Sequence, residues 1–76
     1  MKITYDTKAD AAYIRFMDEE VECVAHEISD DVILNLGPKQ ELVGIEILDA
    51  SRILRFNPKS PSIELENIMA LSAKGN

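Results

Sequence analysis

The chain has no tryptophan, one cysteine and one histidine, and aromatic residues make up only 5% of its 76 positions. Ring area is therefore scarce, and any core must be built from aliphatic side chains. A lone Cys23 excludes an internal disulfide and fits a reducing compartment. Set between Glu22 and Val24 with no CxxC neighbour, it reads as a small buried hydrophobe. His26 has no second histidine or cysteine at ligand spacing, so neither a metal nor a cofactor is expected. No stretch approaches the length of a membrane span, and Met1-Lys2-Ile3-Thr4-Tyr5-Asp6 lacks the apolar run of a signal peptide. A cytoplasmic protein without a membrane partner is the expectation.

Positive charge is also in deficit: 8 Lys and Arg face 14 Asp and Glu, for a net −6. Such a chain repels a phosphate backbone, which argues against nucleic-acid binding. The excess acid lies entirely within residues 1–56, the strand-rich part. A basic partner protein would suit that surface, and solubility alone also accounts for it. Seventy-six residues make one domain, which at this size buries only about 60% of its unfolded surface. Subunit association is a natural way to bury more.

What the chain does have is alternation, and it is clearest in Leu42-Val43-Gly44-Ile45-Glu46-Ile47-Leu48-Asp49-Ala50. Val43, Ile45 and Ile47 share one face of an extended strand, with Gly44 and Glu46 on the other. Before it, strands are predicted at about 2–6, 11–17, 21–28 and 31–36, joined by turns at 6–10, 18–20, 29–30 and 37–41. Within 21–28 the apolar positions change face, which predicts a bulge. Short connections throughout predict an antiparallel five-stranded β-meander, a mostly β member of the α+β class. Asp49 is placed to cap a short helical turn over 49–54 that packs Ile53 or Leu54 on the sheet. Residues 57–61 form a proline-containing linker, and Ser60-Pro61 opens a predicted C-terminal helix through about residue 72, with Leu65, Ile68, Met69 and Leu71 on its apolar stripe. Ile63-Glu64-Leu65-Glu66 taken alone also fits a strand. The organisation is thus a domain over 1–56, with 57–76 belonging to it or swapped to a neighbour.

No group of residues assembles a reactive cluster. His26 and Glu27 point to opposite faces of one strand, and neither Ser29 nor Ser51 sits in a nucleophile-elbow setting. Asp6 with Asp10, and Asp30 and Asp31 with the acids at 18–20, are the acidic pairs that turns could bring together. They lack the spacing of a calcium loop and read as solvated turn residues.

Tyr5-Asp6, then Ala9-Asp10-Ala11-Ala12-Tyr13-Ile14-Arg15, then Ser29-Asp30-Asp31-Val32-Ile33, and finally Val43-Gly44-Ile45-Glu46-Ile47-Leu48-Asp49-Ala50-Ser51 together resemble the domain of unknown function 2283 family of small prokaryotic proteins. The resemblance spans about residues 1–54, and the last block is its most specific part. It implies a compact antiparallel β-rich domain and carries over no catalytic residue. Some relatives are encoded beside small toxin-like proteins, which implies an antitoxin-type role, here as an acidic inhibitor of a basic partner. The residues themselves favour a non-enzymatic, self-associating interaction module. Strands 31–36 and 42–50 carry large apolar residues on both faces, with Ile33 opposite Leu34, and Leu42 and Leu48 opposite Ile45. Ile33, Leu42 and Leu48, together with Leu65, Ile68 and Met69, form the candidate interface of a two-fold dimer, packed sheet on sheet or swapped at residues 61–72. A third reading is a small hydrolase or ligand-binding domain in which Asp6, Asp10 and His26 from different subunits meet.

Overall fold

The computed structural model describes residues 1–69. Five strands, β1 (Lys2–Asp6), β2 (Ala11–Arg15), β3 (Val24–Glu27), β4 (Val32–Leu36) and β5 (Leu42–Ile47), form one antiparallel sheet, followed by a single turn of helix, α1 (Ala50–Ile53). The class is as the alternation predicts. The strand order is β1-β2-β5-β4-β3, so it departs from a consecutive meander at one place. β5 enters the middle of the sheet and takes β2 and β4 as partners. Residues 16–23 must then pass two strands to reach the far edge, about 14 Å at ordinary strand spacing. That span explains why β3 starts only at Val24 and the connection is no tight turn.

Paired residues share a face, so the register sorts the side chains into rows. Tyr5, Ala12, Ile47 and Val32 form a first row; Ile3, Ile14, Ile45, Leu34 and His26 a middle row; Leu42, Leu36 and Val24 a far row, beside which the Phe16 amide donates to the Val43 carbonyl at 2.9 Å. The reverse face carries Thr4, Tyr13, Glu46, Ile33 and Glu27, then Lys2, Arg15, Gly44, Asn35 and Ala25. One face is thus apolar and the other mixed. The bulge lies between β4 and β5, where Asn35 pairs with Gly44 but Leu36 with Leu42, and not in β3 as the pattern predicts. Its extra residue turns Leu42 onto the apolar face beside Leu36, which corrects its expected position on the reverse.

α1 covers only the first row. Ala12, Ile47 and Ala50 form the buried cluster, with Tyr5, Ile45, Ile53 and Phe56 packed against it and Tyr5 meeting Phe56 edge to face at 4.9 Å. Ile53, rather than the exposed Leu54, makes the predicted contact. The Cα radius of gyration is 15.1 Å, against about 11 Å for a compact chain of this length. A single sheet with a partial cover accounts for part of that excess.

The predicted C-terminal helix does not start at Ser60-Pro61. Residues 61–67 carry no regular structure, 68 and 69 are helical, and the part of the expectation on 70–72 lies outside the described residues. Ile63, Leu65, Ile68 and Met69 are 70%, 91%, 70% and 77% exposed. A short helix without a surface for its stripe is marginal in water, which is the physical reason for the difference.

Candidate functional site

The family-like blocks converge on Asp10. This residue closes the β1–β2 turn in the left-handed region, at φ 51°. Its Oδ1 accepts the Tyr5 hydroxyl at 2.6 Å and the Ser51 amide at 3.0 Å, and its Oδ2 accepts the Ser51 hydroxyl at 2.7 Å. The Asp10 carbonyl takes the Ala50 amide at 2.8 Å. Two of the first amides of α1 are therefore satisfied by a residue some forty positions upstream. Asp49 does not cap through its side chain, contrary to expectation; at φ 52° its carboxylate turns outward to pair with Arg52, which also reaches Asp31 at 3.0 Å.

The electrostatics follow from those bonds. Donating to a carboxylate stabilises the protonated phenol, and with burial and the negative charges of Asp10 and Asp6 this pushes Tyr5 up to about 12. The same bond, followed by those from Ser51, lowers the Asp10 carboxyl below its usual range. A lowered carboxylate is a weak base, and both hydroxyls spend their protons on it, so Ser51 is held rather than activated. The cluster is a clamp joining β1, the first turn and α1.

The other candidate residues do not come together in one chain. The Asp6 carboxylate caps its own turn, accepting the Lys8 and Ala9 amides at 2.9 and 3.1 Å. His26 stands on β3, four strands from the β1 edge, and is exposed. Asp30 and Asp31 lie at the β3–β4 hairpin, while the acids at 18–20 pass the opposite end of the strands. Cys23 is exposed and not buried, because it precedes the late start of β3. Among the described residues no group of three or more His, Cys, Asp or Glu stands together as a metal set.

What remains without a cover is the apolar face beyond the first row. Val24 is 65% exposed, and Leu42, Phe16 and Ile3 are also exposed. Of the predicted interface, Leu42 belongs to this surface and Leu65, Ile68 and Met69 lie in the C-terminal segment. Ile33 is half-buried on the reverse face, and Leu48 is half-buried just past β5. Phe16, Val24 and Leu36 escaped the sequence reading, since only the bulge and the strand order bring them to one end. Over β1 and β2, Ile3, Tyr5, Ala12, Leu54, Phe56 and Ile63 line an open groove of about 710 Å³.

Comparison with known proteins finds one family model, described as a protein of unknown function (DUF2283), matching residues 2–51. No curated protein and no solved structure matches. The matched segment contains all five strands and the three clamp residues, and it ends before the C-terminal segment.

Proposed function

This chain belongs to the DUF2283 family of proteins of unknown function, and we propose that it acts by association, pairing with a second copy through the uncovered rows of its apolar face. The observation that carries this reading is surface area. The chain exposes 6249 Å², whereas a folded monomer of 8.5 kDa exposes about 4,650 Å². The surplus of about 1,600 Å² is twice the share that each partner gives to a standard interface, about 800 Å². Exposed large apolar side chains stand both in the uncovered rows, at Ile3, Val24 and Leu42, and in the C-terminal segment, at Ile63, Leu65, Ile68 and Met69.

Charge favours a like partner on this face. The ionisable residues in its rows are Tyr5, bonded to Asp10, and His26. The strand carboxylates of Asp6, Glu27 and Glu46 lie on the reverse. Two copies of net charge −6 can therefore meet on this side without setting carboxylate rows against each other. A two-fold contact is self-complementary by construction, and the partial cover by α1 leaves the far and middle rows open to it.

Light scattering after gel filtration at micromolar concentration tests the reading. A dimer of about 17 kDa is expected for a two-fold assembly. Val24→Asp changes a side chain that is 65% exposed, so it leaves the monomer fold intact and returns the mass to 8.5 kDa. A wild-type chain that elutes as a clean monomer refutes the proposal.

A further inference from the structure

We infer that residues 61–69 are an exchange arm, which crosses to the second copy and seats Ile63, Leu65, Ile68 and Met69 on that copy's uncovered rows. The inference rests on the association proposed above and names the segment that makes it.

Three observations point to the arm. It carries four large apolar side chains in seven residues, all at least 70% exposed. Ile63 and Leu65 alternate with Glu64 and Glu66, so in extended form the arm presents apolar groups on one side and carboxylates on the other. Such a strip matches the apolar face in chemistry and keeps its own charges toward water. Reach is also sufficient: nine extended residues span up to about 30 Å, while a five-stranded sheet is about 19 Å wide.

The hinge favours the neighbour's face over its own. At 57–60 the chain makes a hydrogen-bonded turn, with the Lys59 amide on Asn57 Oδ1 and the Ser60 amide on the Asn57 carbonyl, each at 3.0 Å. Pro58 and Pro61 restrict the same stretch. The turn sends residues 61–63 along a groove that Ile3, Tyr5 and Ala12 line at the β1–β2 side of the apolar face, which leaves the far row of Val24 and Leu42 open. A short, proline-restricted hinge of this kind favours exchange with a second copy over closure on the same chain.

The test introduces Leu65→Cys into the full chain and uses the native Cys23, which is exposed beside Val24 of the far row. On mild oxidation at low micromolar concentration, a covalent dimer linked from Cys23 of one copy to position 65 of the other is expected, identified by peptide mass. Leu65→Cys with Cys23→Ser should give no such species. In parallel, Leu65→Asp with Ile68→Asp should raise the dimer dissociation constant by about 100-fold or more, since two buried anchors become charges. An intramolecular Cys23–65 link would place the arm on its own sheet and overturn the inference. A wild-type dimer that keeps its affinity in the double aspartate variant overturns it too, while leaving the proposed association standing. A monomeric wild type removes both.

Discussion

Dilution should melt this protein. Its unfolded chain would expose about 12,300 Å², and the folded one still exposes 6249 Å². Folding of a single chain thus hides only about half of the surface, where a domain this small ordinarily hides roughly 60% and is already marginal. Under the proposed association the single chain is only marginally stable and the dimer melts above it, so at the midpoint unfolding and dissociation run together and the midpoint depends on concentration. The size of the effect follows from chain length. At about 2.1 cal/mol/K per residue, two chains of 76 residues unfold with about 320 cal/mol/K. Each tenfold dilution removes about 1.4 kcal/mol from the dimer, which corresponds to about 4 °C. From 100 to 1 μM the midpoint of a circular-dichroism melt should fall by about 8 °C. In Val24→Asp the midpoint should be lower and independent of concentration. A wild-type midpoint that holds within about 1 °C over the same hundredfold range refutes the argument. It would mean that the buried side chains of Ala12, Val43, Ile47 and Ala50, with the packing around them, suffice to hold one chain folded.

Three further outcomes test the fold and the clamp. Ile47→Ala, on the central strand beneath α1, should cost about 2–5 kcal/mol by urea unfolding; a loss under about 1 kcal/mol would show that α1 does not pack there. In Gly44→Ala a Cβ would run into the Tyr13 ring and stand 2.9 Å from the Ile14 carbonyl. A loss of about 1–3 kcal/mol is expected, with Tyr13→Ala restoring only part of it because the backbone contact remains. Stability against pH should fall at both ends. Asp10 is lowered in the fold, so its contribution is present above the unfolded value of 3.8 and lost as pH drops through the folded one. Tyr5 is raised to about 12, so its contribution is present below 10.0 and lost as pH rises between these values. Tyr5→Phe should abolish that part of the alkaline loss in thermal melts and weaken the acid loss.

The legible parts of the fold are those decided by neighbours in sequence. β1 and β5 alternate cleanly, and the expected bounds of β1 and β4 fall within a residue of the observed ones. Alternation says which face a side chain takes but not which strand lies beside it, so the central insertion of β5 was invisible. The charged, unusually long run at 16–23 was the available hint, because a meander needs no such span. The clamp was hidden for a related reason. Asp49 is the acid next to α1, and a local capping rule selects it. The amides were instead taken by Asp10, brought there by the pairing of β1 with β2 and β2 with β5.

The C-terminal segment failed in a more informative way. Leu65, Ile68 and Met69 recur at helical spacing, while Ile63 and Leu65 recur at strand spacing, and neither period is realised over 61–67. An amphipathic pattern states that a side should be buried; it does not state against what. Within one chain the turn at 57–60 carries residues 61–63 only onto the groove beside Ile3, Tyr5 and Ala12, and Val24 and Leu42 of the far row stay exposed. The unrealised period and the bare face are then the same deficit seen from two sides. In the proposed exchange both would be satisfied together, with the conformation of the segment set by the surface of the second copy. Because Ile63 and Leu65 alternate while Ile68 and Met69 follow Leu65 at helical spacing, that exchange would select strand for the first half and helix for the second.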